Sequence, residues 1–164
     1  MVKKPLLFIF CLILMQNFSY AAAVPPKPKT SELAPAPDFM LLDLEGKEIS
    51  LAALKGKPII LFFWTTWCPY CRGELKELND KQAEISRNDT QVLAINIEEP
   101  AEKVGRFMNN RLVFYKVLLD KEASVANSYS VIGVPTYVYI NKAGYIASSS
   151  NYFSHSKYED IALK

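Results

Sequence analysis

A continuous apolar stretch, PIILFFW at residues 58–64, runs into two cysteines separated by two residues, Cys68 and Cys71. A strand without polar alternation is typical of the centre of a sheet, where both of its faces are buried. From Pro69 onwards the apolar residues recur at helical spacing, and proline is favoured in the first turn of a helix. The sequence therefore predicts that the two cysteines lie where a central strand ends and a helix begins.

Strand and helix patterns alternate along the rest of the chain. A β-hairpin is predicted at residues 38–51, where Gly46 supplies the turn, and the helix after Pro69 extends to about residue 87. The further predicted elements are strands at 90–97 and 115–120, helices within 98–111 and 121–131, a hairpin at 135–150 and a short terminal helix. This order describes one α/β domain with a mixed central β-sheet and helices on both faces.

The N-terminal segment does not belong to this pattern. A short positive stretch, an apolar run and small residues ending at Ala23 are the layout of a secretory signal peptide at 1–23, or of an uncleaved anchor. Residues 24–37 are rich in proline and predict an extended linker, and the folded domain is predicted at 38–164. We therefore expect an exported protein that is either periplasmic or anchored to the membrane on its extracytoplasmic side.

Three interpretations of the cysteine pair follow from the residues alone. Structural zinc sites use four nitrogen or sulfur ligands, whereas the chain without its signal peptide offers two cysteines and one distant histidine, His155. A structural disulfide that closes so short a loop would constrain little of the unfolded chain. A catalytic dithiol is the third interpretation.

The predicted start of the helix favours the catalytic dithiol. The sulfur of Cys68 would face unpaired backbone N–H groups and the positive end of the helix dipole. Both stabilise the thiolate, which is the attacking species. Cys71, one turn later and more buried, would then break the mixed disulfide and close a Cys68–Cys71 disulfide.

The residues around the cysteines, FFWTTWCPYCRGE at 62–74, resemble the TlpA-type exported branch of the thioredoxin-like thiol–disulfide oxidoreductases, in the AhpC/TSA–redoxin superfamily. Residues 36–64 are similar to the hairpin and first central strand of that branch, and VIGVPTYVYINKAGYI at 131–146 is similar to the segment around its cis-proline. The likeness covers about residues 35–147. It implies a thioredoxin-like fold with an added N-terminal β-hairpin and a protein-disulfide reductase that needs no cofactor and no metal.

The resemblance also implies partners, namely protein disulfides such as those of apocytochrome c and a membrane dithiol that donates electrons to a monomeric enzyme. The net charge of +2, with both signs interspersed, gives no sign of nucleic-acid binding. A disulfide-forming oxidant is the alternative on the same fold. A peroxidase is a further alternative. Peroxiredoxins carry a threonine three residues and a proline seven residues before the reactive cysteine, and this chain has Thr65 and Leu61 at those positions. A Cu(I)-binding module could use the two soft thiolates.

Roles for individual residues follow from the resemblance. Trp67 would shield the first sulfur, Pro135 would be the cis-proline, and Val134 would offer its backbone to a bound substrate strand. The alternative for Pro135 is an ordinary proline at the first residue of a strand. Glu98 and Glu99, outside this set, are predicted to lie in a solvated loop, with a place at the rim of the site as the alternative. The implied substrate-binding residues are Trp67, Pro69, Tyr70, Val134, Pro135 and Thr136.

Glu74 occupies the position of a glutamate that the cytochrome-maturation group of this branch carries. Three residues after Cys71, it lies on the same face of the predicted helix, where a partly buried carboxylate could accept the proton of that thiol. The alternative is a glutamate that favours the helix N-terminus electrostatically. The chain departs from the family pattern at Phe62, where thioredoxins carry a buried acid, at Lys76, where a proline is common, and at Thr136, where some members have an acidic residue.

Overall fold

The computed structural model describes residues 33–109 and 111–162. The predicted signal peptide at 1–23 and most of the predicted linker at 24–37 lie outside the described residues. None of the helices within the described ranges is long and apolar enough to cross a membrane.

Within the described residues, seven strands form one mixed sheet in the order β2-β1-β5-β4-β3-β6-β7. The strands are β1 (Met40–Asp43), β2 (Glu48–Ser50), β3 (Ile59–Trp64), β4 (Gln91–Ile97), β5 (Lys116–Asp120), β6 (Thr136–Ile140) and β7 (Ile146–Ser150). The helices are α1 (Pro69–Asp80), α2 (Gln82–Arg87), α3 (Ala101–Met108), α4 (Ser124–Ser128) and α5 (His155–Ala162), with a 3₁₀ turn at Ala52–Leu54. Strands β3, β4 and β5 are parallel, while β1 and β6 pair antiparallel to this group. The predicted α/β class, mixed sheet and N-terminal hairpin are confirmed.

Strand β3 is buried along its whole length, and its side chains alternate between two hydrophobic clusters. Every second residue from Ile60 to Trp64 packs against buried side chains of α1, α2, α3 and α5. The residues between them, from Ile59 to Phe63, pack on the other face against α4 and the N-terminal hairpin. Each large apolar side chain contributes about 1.5–3 kcal/mol when it is fully buried. Both faces of β3 are therefore covered. After its carboxyl end the chain leads to Cys68.

The helix predicted from Pro69 to about residue 87 is divided into α1 and α2. The division falls at Lys81, whose φ of −87° and ψ of 4° leave the helical region. Asn79 and Asp80 come directly before it. Side chains of both types compete for backbone hydrogen bonds and favour helix ends over helix interiors. The apolar periodicity continues across the division, which explains why the pattern alone predicts one helix.

Ordered contacts begin before Asp38, within the last residues of the predicted linker. The N–H of Ala36 donates to the Gly144 carbonyl over 2.9 Å, and the N–H of Ile146 donates to the Ala34 carbonyl over 2.8 Å. These bonds pair residues 34–36 with the turn before β7. The segment therefore covers part of the edge of the sheet, which would otherwise present unpaired backbone groups.

Candidate active site

The two cysteines lie at the N-terminus of α1, as the sequence predicts. Cys68 is the N-cap residue, with an extended backbone at φ −76° and ψ 113°, and Pro69 occupies the first turn. The backbone N–H of Cys71 donates a hydrogen bond to the Cys68 sulfur over 3.2 Å. Both cysteines are free thiols, so this is the reduced form of the pair. Backbone donors and the helix dipole at such a position favour negative charge on the capping sulfur.

The two sulfurs have unequal surroundings. Cys71 is fully buried, whereas Cys68 keeps 3% of its surface exposed. Burial is the main cause that raises the pKa of the Cys71 thiol to about 12, and the hydrogen bond with the Cys68 side chain is the next. At neutral pH Cys71 is therefore protonated, and it must lose a proton before it can attack another sulfur.

The loop before β6 lies against the capping sulfur. The Val134–Pro135 peptide bond is cis, which confirms the geometry that the family resemblance implied. The thiol of Cys68 donates to the Val134 carbonyl oxygen, 3.8 Å away. The hydroxyl of Thr136, at the start of β6, donates to the Gly133 carbonyl oxygen over 2.8 Å. The fold thus brings the first cysteine next to the backbone segment that the resemblance assigns to substrate binding.

Glu74 lies half-buried on α1, one turn after Cys71. Its Oε2 accepts two hydrogen bonds, from the Tyr137 hydroxyl over 3.0 Å and from the Phe153 N–H over 2.9 Å. Burial and then the nearby Glu74 carboxylate raise the pKa of Tyr137, so its hydroxyl stays a donor. Tyr137 also stacks on Phe62 at 4.6 Å between ring centroids. An aromatic pair therefore occupies the position where thioredoxins carry a buried acid.

Exposed apolar side chains flank the buried sulfurs. Trp67 is 64% exposed, Tyr70 is 78% exposed and Ile132 is fully exposed. A cavity of about 450 Å³ lies between Trp67 and the loop at 131–134, with Thr65 among its lining residues. Sequence reasoning missed Ile132, whose only signal was its place three residues before Pro135. Together these side chains give the reactive face an apolar rim.

The prediction that Glu99 lies in a solvated loop is wrong, although its neighbour Glu98 is exposed. Glu99 is 5% exposed and receives hydrogen bonds from the N–H and the hydroxyl of Thr66, over 2.6 and 2.7 Å. Asn96 donates to the same carboxylate over 2.8 Å, and Lys103 forms an ion pair with it at 2.7 Å. A buried carboxylate is tolerated when its oxygens are paired in this way. Glu98, with a positive φ of 54°, turns the chain so that the next residue faces inwards.

Glu99 fixes the segment that leads to the first cysteine. Burial alone would raise its pKa, but the hydrogen bonds from Lys103, Asn96 and Thr66 outweigh this effect and lower the pKa to about 2. On the other side of the segment, Arg72 donates to the Thr66 carbonyl oxygen over 3.0 and 3.2 Å. Thr66 is therefore held by Glu99, which lies between β4 and α3, and by Arg72 of α1.

Comparison with known proteins identifies the family. The family model described as AhpC/TSA family matches residues 33–149. This chain belongs to that family. It is 35% identical over 150 residues to the thiol-disulfide oxidoreductase ResA of Bacillus subtilis (strain 168). The aligned region covers 88% of this chain and 84% of that protein. The protein of the same name from Geobacillus thermodenitrificans (strain NG80-2) is 31% identical over 144 residues, with 88% and 83% covered.

Solved structures agree with this assignment. A thiol:disulfide interchange protein of the thioredoxin family from Chlorobium tepidum TLS superposes with a TM-score of 0.71 at 25% identity, covering 82% of this chain and 97% of that chain. The fold of this AhpC/TSA member is thioredoxin-like, as the resemblance implied. Among the described residues, no group of three or more histidine, cysteine, aspartate or glutamate side chains is placed to hold a metal ion.

We expect Glu99→Gln to destabilise the domain in a pH-dependent way. The folded-state pKa of about 2 lies below the usual value near 4.5, so the charged carboxylate stabilises the fold above the unfolded pKa and loses this effect as pH falls. Urea unfolding should show a deficit of about 2–3 kcal/mol at neutral pH that shrinks between about pH 5 and about pH 2. The adjacent exposed Glu98→Gln serves as control and should show no deficit. A difference in the free energy of unfolding that stays constant down to about pH 2 would contradict a stabilising role of the Glu99 charge.

Proposed function

We propose that this thiol–disulfide oxidoreductase is exported and reduces protein disulfides through Cys68 and Cys71. The observation that carries the proposal is the unequal pair at the start of α1, in which a capping sulfur lies beside the cis Val134–Pro135 bond and a buried thiol follows one turn later. The sequence of the relatives and the fold support this chemistry. Export rests on the signal-peptide pattern at 1–23, with an uncleaved anchor as the alternative.

The reaction consists of two exchanges between sulfurs. The Cys68 thiolate attacks one sulfur of a substrate disulfide, a mixed disulfide forms, and the departing substrate thiolate takes up a proton. Cys71 then loses its proton and attacks the Cys68 sulfur, which releases the second substrate thiol and closes the Cys68–Cys71 disulfide. The substrate has gained two electrons and two protons. A dithiol donor, which we place at the membrane, must supply two electrons to restore the reduced pair.

The likeness of Glu74 to the glutamate of the cytochrome-maturation group supports the reductive direction. Strong disulfide-forming oxidants owe their potential to a reduced form that is stabilised. Burial of Cys71 raises the pKa of its thiol to about 12, so any such stabilisation by ionisation must come from the Cys68 thiolate. Glu74, one turn after Cys71 on α1, is the group that we assign to accept the Cys71 proton. The disulfides of apocytochrome c are the substrate class that the resemblance suggests.

The apolar rim supports a protein substrate. Trp67, Tyr70 and Ile132 leave large apolar surfaces in contact with solvent beside the sulfurs. Exposed apolar surface of this kind marks interaction sites, and an unfolded chain presents apolar side chains next to its cysteines. We infer that the rim contacts these side chains while the Val134 backbone bonds to the substrate strand.

The reduction potential of the Cys68–Cys71 pair tests the direction of electron transfer. Equilibration in dithiothreitol buffers, followed by thiol labelling and mass spectrometry, should give a value near or below about −270 mV, the region of thioredoxin. A protein-disulfide reductase must have a potential below that of the disulfides that it reduces. A value near about −120 mV would make the protein an oxidant and would contradict the proposed function.

The order of attack predicts which variant traps substrate. With intact insulin, whose chains are joined by disulfides, as the substrate, Cys71→Ser should accumulate a covalent adduct through Cys68, since the second exchange cannot occur. Cys68→Ser, the matched control, should accumulate none because Cys71 is buried and protonated. Non-reducing electrophoresis and mass spectrometry measure both adducts. Equal adduct formation by the two variants would show that the assigned order is wrong.

Glu74→Gln tests the proton acceptor. The amide retains an oxygen that can accept the bonds from Tyr137 and Phe153, but it cannot take a proton from Cys71. Stopped-flow measurement of the second exchange should show a rate at least about tenfold lower near neutral pH, with a changed pH profile. Glu77→Gln, an exposed carboxylate on the same helix, is the control. An unchanged rate and profile would remove Glu74 from the mechanism.

A further inference from the structure

The segment that joins β7 to α5 contacts two separate parts of the site. The side chain of Asn151 donates through Nδ2 to the Pro135 carbonyl oxygen over 2.9 Å, and the same nitrogen lies 3.5 Å from the Thr136 hydroxyl oxygen. Two residues later, the Phe153 N–H donates to the Glu74 carboxylate over 2.9 Å. No sequence motif marks this segment, and neither the mechanism nor the resemblance uses Asn151.

Sheet register explains why Asn151 reaches this place. Strands β6 and β7 are antiparallel, and Tyr137 lies opposite Ser150. The residue after Ser150 therefore comes beside Thr136, where β6 begins and the cis bond lies. Asn151 is exposed at this position, so its hydrogen bonds are not needed to satisfy a buried amide.

The hydrogen bonds around the cis peptide set the orientation of the Val134 backbone N–H. A carbonyl and the following N–H share a rigid plane and point in opposite directions, so the orientation of the Gly133 carbonyl sets that of the Val134 N–H. Thr136 donates to the Gly133 carbonyl oxygen over 2.8 Å, and Asn151 lies against Thr136 and the Pro135 carbonyl. A chain of polar contacts thus runs from Asn151 to the peptide plane that contains the Val134 N–H.

We propose that Asn151 is a positioning residue, which orients the Val134 backbone for a bound substrate strand. This role rests on the proposed function, in which that backbone bonds to the substrate. Asn151 itself touches no reacting sulfur. Its loss therefore weakens the binding of substrates that carry a peptide backbone and has little effect on exchange between the sulfurs.

Asn151→Asp tests the role, because a carboxylate has nearly the same shape but cannot donate to the Pro135 carbonyl. With insulin as substrate and dithiothreitol as electron source, KM should rise about tenfold while kcat changes by less than about twofold. Asn151→Ala, which removes the donor without adding charge, should give the same direction. Ser149→Ala, exposed on the same strand, is the control and should match the wild type.

Three results would overturn the proposal. An unchanged KM in both Asn151 variants would show that the contacts do not influence binding. A rise in KM in Asn151→Asp but not in Asn151→Ala would show that the new negative charge, and not the lost donor, causes the effect. An equal rise in KM with hydroxyethyl disulfide, which has no peptide backbone, would show that the variants disturb the sulfurs or the fold rather than the binding of a substrate strand.

An observation independent of catalysis separates this inference from the proposed function. In the reduced, ¹⁵N-labelled protein, Asn151→Ala should shift the amide resonance of Val134, whereas Ser149→Ala should leave it in place. If the wild type fails to reduce insulin, the proposed function fails, and a shifted Val134 resonance still supports the orienting role. A resonance that does not move in Asn151→Ala overturns that role whether or not the enzyme is active.

Discussion

The geometry of the active site depends on a buried carboxylate that joins the ends of two parallel strands. Glu99 follows β4, and its oxygens hold Thr66, which follows β3. Removing a carboxylate from water is costly, and the bonds from Asn96 and Lys103 help to offset that cost. Because Cys68 comes two residues after Thr66, the position of its sulfur is set from outside the helix that it caps.

The two sulfurs differ in the contacts that most affect them. Cys68 is governed by backbone groups, namely the N–H of Cys71 and the carbonyl of Val134. Burial, and then the hydrogen bond with the Cys68 side chain, raise the pKa of Cys71 and keep its proton in place. A change in the loop before β6 therefore acts on the first sulfur, and a change in the packing of α1 acts on the second. The hydrogen bonds between the two residues still couple them, so a change at Cys68 also reaches the Cys71 thiol.

The parts of the fold that could be predicted are those with a local signal. The buried strand at 58–64 shows as an unbroken apolar run, and Pro69 marks the start of α1 by its fixed backbone angle. The pairing of Cys68 with Pro135 came from a likeness between two distant segments, each recognisable by itself. The division at Lys81 was missed because apolar spacing continues across it.

The remaining features depend on partners that local patterns do not reveal. Glu99 is a charged residue next to another charged residue, and only the folded chain brings Thr66 and Asn96 to it. Asn151 is a polar residue in a polar loop, and its contact with Pro135 depends on the register of β6 and β7. Residues of this kind form a site through long-range pairing, so a single sequence contains no rule that singles them out.

The pairing of residues 34–36 with residues 144–146 fixes where the first described residues lie relative to the active site. That pairing lies at the turn where β6 ends, whereas Pro135 lies just before β6 begins, and five residues of strand span about 16 Å. Residues 34–36 thus lie at the end of the sheet opposite Cys68. A change in their pairing can therefore reach the sulfurs only through the length of β6.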